Sequence, residues 1–189
     1  MTAKAQIYLI ALGGNMPSSA GPAESTLRAA IARLAETGLT VTAVSRFFQT
    51  PCFPAGAGPD YVNAAAQIET SLPPQELLAK LHQIEAEFGR ARTERWGMRS
   101  LDLDIIAAGS QVLPDLARYE SWRNLDAELQ RIKTPEELIV PHPRLAERAF
   151  VLIPLADIAP DWEHPVSRQS VSQMLAALPA GEKEGVAAL

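Results

Sequence analysis

The segment Arg95-Trp96-Gly97-Met98-Arg99-Ser100-Leu101-Asp102-Leu103-Asp104-Ile105-Ile106 interleaves Leu101, Leu103 and Ile105 with Asp102 and Asp104. In a β-strand this period of two puts the apolar side chains on one face and both aspartates on the other. Their Cα atoms would then stand roughly 6.5–7 Å apart, so two carboxylates converge on one cationic site. Just upstream lie Arg90, Arg92, Arg95 and Arg99, interrupted only by Glu94, a local charge of +3. Paired carboxylates beside clustered guanidiniums suit metal ions on one side of a polyphosphate and arginines on the other. The pattern points to phosphoryl chemistry.

Taken singly, these residues also have plainer readings. An Asp-x-Asp pair on a strand is often a solvated face. Arg90 and Arg92 follow a helix, where cations favour the C-terminal dipole. His142, between Pro141 and Pro143, could serve only the local backbone. Tyr61 and Phe150 would be core residues by frequency. Gly13-Gly14-Asn15 resembles a strand-ending turn and lacks the full glycine fingerprint of a dinucleotide site. His82 is expected at the surface and His164 is expected to carry no function.

The elements that must position these groups follow from periodicity and punctuation. Residues 6–12 form a buried strand ending at Gly13-Gly14. Pro22 opens a helix striped with Leu27, Ala30, Ile31 and Leu34 and closed by Gly38. Residues 39–49 are rich in β-branched and aromatic side chains and form a second strand. Residues 50–60, with three prolines and two glycines, are a loop. Residues 61–70 make a third strand. Residues 74–88 are an amphipathic helix ending at Gly89. The arginine loop and the aspartate strand come next. The order βαββαβ, with two helices on one face of a four-stranded antiparallel sheet, is the ferredoxin-like α+β arrangement.

Beyond it, Ala107-Ala108-Gly109-Ser110 is a turn into a short strand at residues 111–113. Residues 115–133 carry Leu116, Tyr119, Trp122, Leu125, Leu129 and Ile132 at spacings of three and four, which predicts one inserted amphipathic helix. Thr134-Pro135-Glu136-Glu137 offers a capped helical turn. C-terminal helices are expected after Pro143, through Arg148 and on to Ile158, and over residues 171–178, with a frayed tail from Pro179. The stripe of residues 115–133 must lie against something. Packing on the molecule's own body is favoured, with a second copy as the alternative.

With 189 residues, 47% hydrophobic and 21% charged, the chain fits one domain spanning 1–189 that buries its own core. A net charge of -5 argues against nucleic acid or an anionic membrane as partner. A basic patch in an acidic protein suits a small anion better than a polymer. The single cysteine, Cys52, excludes an intrachain disulfide and reads as a small loop hydrophobe. The apolar run at residues 7–12 is too short for a membrane span. A cytoplasmic, monomeric protein is the expectation.

The chain resembles the 6-hydroxymethyl-7,8-dihydropterin pyrophosphokinase family of folate biosynthesis from about residue 7 to residue 178. The resemblance rests on Ala11-Leu12-Gly13-Gly14-Asn15, Gln49-Thr50-Pro51, Asp60-Tyr61-Val62-Asn63-Ala64-Ala65, Ile84-Glu85 with Gly89-Arg90-Ala91-Arg92, the 95–105 block, and Pro141-His142-Pro143-Arg144 with Arg148 and Phe150. It implies transfer of diphosphate from ATP to the hydroxymethyl group of 6-hydroxymethyl-7,8-dihydropterin, with release of AMP. It further implies that Asp102 and Asp104 hold two Mg2+ ions against ATP. Arg90, Arg92, Arg99 and Arg148 would neutralise the triphosphate, and His142 would contact it. Tyr61 and Phe150 would sandwich the pterin and Asn63 would bond its polar edge. Thr50 and Pro51 would border the pocket and Trp96 would close over it.

Three features depart from the family pattern: Gly14 in place of the usual serine, Met98 in place of the usual proline, and the insertion at residues 115–133. By residue pattern alone, a magnesium-dependent nucleotidyl- or phosphotransferase acting on another acceptor, and a non-catalytic ligand-sensing module, stand as alternatives. The leaving product separates the first, and metal-dependent nucleotide binding the second.

Overall fold

The computed structural model describes residues 4–52, 58–89 and 99–189. Arg90, Arg92 and Trp96, like Met98, lie outside the described residues. The central strand β1 (Gln6–Gly14) pairs antiparallel with β4 (Tyr61–Thr70) on one side and with β5 (Asp102–Ala108) on the other. Both β2 (Thr40–Val44) and β3 (Phe48–Thr50) pair with β4. With β6 (Ala187–Ala188), the six-stranded sheet runs β5-β1-β4-β3-β6, with β2 beside β4. Its inner part is the ferredoxin-like strand order expected from the sequence.

One face carries α1 (Ala23–Glu36) and α2 (Pro74–Glu87). Gly38 and Gly89, at φ of 84° and 85°, follow these helices as left-handed terminators. Leu27 and Leu34 of α1, and Leu77, Leu81 and Ile84 of α2, interlock with Tyr8, Ile10, Leu12, Leu101, Leu103 and Ile105. Burial of each such side chain contributes about 1.5–3 kcal/mol. The opposite face is covered by α5 (Ala149–Ile158) and α6 (Val171–Ala177), preceded by a 3-10 turn at Leu145–Glu147. There Leu152, Leu155 and Met174 pack on Leu9, Ala65, Ile106 and Ala107.

Several expectations are corrected. Strand β1 continues through Gly13 and Gly14, which pair with Asn63 and Val62 instead of turning. The stretch 39–49 is two strands, because the Ser45 hydroxyl accepts the Ala65 N–H at 2.8 Å and interrupts the run. The stretch 111–113 reduces to a single bridge between Leu113 and Val140. Each bridge residue is followed by a proline, which has no N–H to extend a ladder. The inserted helix is two, α3 (Leu116–Arg123) and α4 (Ala127–Ile132), because Asp126 caps a new start by accepting the Glu128 N–H at 2.8 Å. No helical turn forms at residues 134–137. The tail is also ordered, as α7 (Ala180–Lys183) and β6 (Ala187–Ala188), the latter paired with β3.

The insertion docks through Tyr119, 1% exposed, whose hydroxyl lies 2.9 Å from His164 Nε2. Leu116, Leu129 and Ile132 of the expected apolar stripe stay exposed, so the stripe is only partly packed on the body. His164 Nδ1 accepts the N–H groups of Val166 and Ser167, so the hydrogen bonds assign its proton to Nε2. Burial, with a smaller contribution from Arg123, lowers its pKa to about 4. This histidine is a neutral strut between the insertion and the body.

Candidate active site

Strand register assembles the candidate site on the face of the sheet opposite α1 and α2. Asp102 lies opposite Gly13 and Asp104 opposite Ala11 on β1. On the other side of β1, Gly13 is opposite Asn63 and Ala11 opposite Ala65. One transverse row therefore reads Asp102, Gly13, Asn63. A Cβ on Gly13 would stand 3.0 Å from Asn63 Oδ1, so glycine keeps the floor between carboxylate and amide open. Leu101, Leu103 and Ile105 point the other way into the core, as the alternation requires.

The strand is fixed from behind. Glu85 of α2, 1% exposed, accepts the Leu103 N–H at 2.7 Å, between the two aspartates. Asn15 ties two approaches together. Its Nδ2 donates to Pro59 O at 3.2 Å, its Oδ1 accepts the Arg99 N–H at 2.9 Å, and its own N–H donates to Arg99 O at 2.9 Å. Neither residue received a role from the sequence. Glu85 and Asn15 were motif letters whose partners lie 18 and 84 positions away. A buried carboxylate or amide inside a motif is the signal that could have found them.

Gly14 sits against the same approach, since a Cβ there would lie 2.4 Å from Ser100 O. No serine fits at position 14 with this backbone, which accounts physically for that departure.

The positive groups converge on the aspartates. Arg99 Nη1 is 2.8 Å from Asp102 Oδ2, with both side chains about a quarter exposed. The His142 N–H donates to Ile106 O at 2.9 Å, which hangs His142 beside the outer edge of β5. Its Nδ1 accepts the Arg144 N–H at 3.1 Å, leaving Nε2–H as donor. Burial first, then the cations Arg148 and Arg144, lowers the His142 pKa to about 3. Arg148, the N-cap of α5, lies within reach of the charges of Asp104 and Asp102, and burial lowers its pKa.

The apolar half of the site adjoins this cluster. Asn63, 6% exposed, donates from Nδ2 to Thr50 Oγ1 at 2.7 Å. Thr50 pairs with Tyr61 across the β3–β4 ladder. Burial raises the Tyr61 pKa, and its hydroxyl feels the charges of Arg99 and Asp102. Phe150, on the first turn of α5, is 41% exposed, with the Arg148 guanidinium 5.7 Å from its ring centroid. An exposed aromatic there contradicts a core reading of Phe150. Asp60 draws the two sides of its loop together, accepting from Gln49 Nε2 at 2.8 Å and from the Cys52 N–H at 3.4 Å.

Of the residues singled out from sequence, Thr50, Tyr61, Asn63, Arg99, Asp102, Asp104, His142 and Arg148 thus fall in one patch, with Pro51 at its rim and Phe150 beside Arg148. The donor set suits a hard cation. Two carboxylates project from one strand, and among the described residues no cluster of three His, Cys, Asp or Glu forms a closed cage. Magnesium keeps several water or phosphate ligands and is well served by such a pair.

The family model of 7,8-dihydro-6-hydroxymethylpterin-pyrophosphokinase (HPPK) matches residues 9–160. The chain belongs to this family. It is 39% identical over 174 residues to the 2-amino-4-hydroxy-6-hydroxymethyldihydropteridine pyrophosphokinase of Pseudomonas aeruginosa, covering 92% of this chain and 93% of that one. Its identity to the enzyme of that name from Synechocystis sp. is 38% over 168 residues, 88% of this chain and 73% of the relative. The solved wild-type HPPK-DHPS of Plasmodium falciparum shares the fold at a TM-score of 0.64 and 14% identity, covering 92% of this chain. The chain spans 44% of that longer protein.

Proposed function

We propose that this HPPK-family chain transfers diphosphate from ATP to the hydroxymethyl group of 6-hydroxymethyl-7,8-dihydropterin, releasing AMP, in folate biosynthesis. The observation that carries the assignment of residues is the row Asp102–Gly13–Asn63. It sets a carboxylate pair and a pocket-lining amide on the same floor, with Arg99, Arg148 and His142 around the carboxylates. Asp102 and Asp104 would hold two magnesium ions, which when bound neutralise the triphosphate and orient it for in-line displacement.

The remaining work belongs to the chain. In the transfer, the substrate hydroxyl oxygen bonds to the β-phosphorus and loses its proton to solvent, while the bond from the β-phosphorus to the bridging oxygen breaks and that oxygen leaves with AMP. Arg99 and Arg148 face the charge that accumulates on the transferred group. His142, held neutral by burial and by the cations Arg148 and Arg144 in the unliganded fold, would present Nε2–H as a donor to a phosphate oxygen. Asn63, oriented by Thr50, bonds the polar edge of the pterin, while Tyr61 and Phe150 supply faces for its ring. Pro51 borders that pocket. Arg90 and Arg92 would add phosphate contacts and Trp96 a cover, a role for three residues outside the described ones.

No helix among the described residues is long and apolar enough to cross a membrane. The single cysteine, Cys52, is in keeping with a reducing, cytoplasmic setting, and the net charge of -5 with small anionic ligands over nucleic acid or an anionic membrane. Incubation with ATP, magnesium and the hydroxymethyl-dihydropterin tests the reading: AMP is expected, and ADP or free pyrophosphate as the nucleotide-derived product would overturn it.

A further inference from the structure

Strand β3 has three residues and one strong partner. Its inner side pairs with β4, placing Phe48 opposite Asn63 and Thr50 opposite Tyr61. Its outer side would be a bare sheet edge without the C-terminal segment. There β6 pairs in register, Ala188 with Phe48 and Ala187 with Gln49, and the Leu189 N–H donates to Phe47 O at 2.9 Å. Just before β6, Gly185 adopts φ of 79° and presses on the residue that follows β3. A Cβ at Gly185 would stand 2.7 Å from Pro51 Cγ and 3.0 Å from its Cδ. The helical turn α7 at the start of the segment lies against α5, the helix whose first turn carries Phe150.

This segment lies outside residues 9–160, the part matched by the family. Its residues Gly185, Ala187, Ala188 and Leu189 are exposed and belong to neither core cluster. Its contacts instead concentrate on β3 and Pro51. Through β3 they reach Thr50, whose Oγ1 accepts the hydrogen bond that orients Asn63.

We propose that the C-terminal segment is a positioning element for the pterin pocket, acting through Gly185 on Pro51 and through β6 on Thr50. It sets affinity for the heteroaromatic substrate and leaves nucleotide binding and transfer unchanged. The inference rests on the assignment of Thr50, Pro51 and Asn63 to the pterin. Its logic is that of a support outside the ligand shell: a three-residue strand held on both edges keeps its side chains in place, and one held on a single edge does not. Only glycine suits position 185, for both the left-handed backbone and the proline ring against it.

The test uses the whole chain carrying Gly185→Val, which drives a side chain into Pro51, and separately Ala187→Pro, which unpairs β6 from β3. AMP release is measured with pterin varied at saturating magnesium-ATP, then with ATP varied at saturating pterin. The expected result for both variants is a rise in pterin KM of about tenfold, the scale of a slightly misplaced positioning group. The kcat and ATP KM should stay within about twofold of the parent. An unchanged pterin KM in both variants overturns the proposal. So does a matched fall in kcat, both affinities and melting temperature, which marks general loosening. Asn63→Ala, measured in parallel, separates the two levels: a raised pterin KM there upholds the pocket whatever the tail does. No change there removes the pocket assignment, and the tail's role with it.

Discussion

Within one sheet face, two neighbouring regions built by the same three strands behave as opposites. At Leu9, Ala65, Ile106 and Ala107 the face is sealed under Leu152, Leu155 and Met174. At Gly13, Asn63 and Asp102, four residues further along β1, it is a partly exposed floor of carboxylate, backbone and amide. The antiparallel pairing runs through both, with one register shift between Leu9 and Ile10 at the sealed end of the β1–β5 ladder. The difference lies in the side chains. Ala11 and Gly13 withdraw bulk from the floor, and Arg148 replaces the aliphatic side chains of α5 at its N-terminus. A polar site of this kind is the end of a core, with the strands supplying rigidity that charged groups could not supply themselves.

That contrast can be broken from the polar side first. Asp102→Asn and Asp104→Asn each remove a charged oxygen donor, and AMP release should fall by about three orders of magnitude or more. Their melting temperatures should stay near the parent's, because neither side chain belongs to a core cluster. Near-normal turnover of both at saturating magnesium would remove the pair from the chemistry. From the dry side, Leu27→Ala should do the reverse. Denaturant unfolding should show a loss of about 2–5 kcal/mol, with turnover per folded molecule close to the parent's.

A smaller effect belongs to the boundary between the regions. Phe150→Ala should weaken pterin binding by about 1–3 kcal/mol, the scale of one lost aromatic face, with little change in melting. Titration with a non-hydrolysable ATP analogue present would reveal it, and an unchanged affinity would take Phe150 out of the pocket.

An effect confined to stability lies outside both regions. His164 has its pKa lowered from 6.5 to about 4 in the fold. Between those values the unfolded chain binds a proton that the folded chain refuses, so stability falls as pH drops. That share is complete above about pH 6.5. His164→Phe should flatten this slope in pH-dependent melts without altering its AMP release at neutral pH, apart from any general loss of stability.

What was legible in the sequence was local. The aspartate strand declared itself through a strict period of two, and α1 and α2 through proline at their starts and glycine past their ends. The carboxylates and the guanidinium of Arg99 were readable as chemistry from their joint pattern, whereas the amide of Asn63 entered only through the family resemblance. What was hidden depended on distant partners. Ser45 breaks a strand only because Ala65 is there to share its hydroxyl. Two alanines become β6 only because β3 offers an edge. The break between α3 and α4 was visible in principle: Asp126 is a good cap, but the continuing apolar stripe outweighed it.

Asn15 gives the molecule a property of a different kind. Because one side chain pins both Pro59 and Arg99 at the tip of β1, two sequence-distant approaches begin from a shared anchor. Asp60 fixes the other foot of the first approach at Gln49 and Cys52. The stretch between Cys52 and Pro59 is thus anchored at both of its ends, and substitutions inside it should disturb the floor less than substitutions at Asn15 or Asp60.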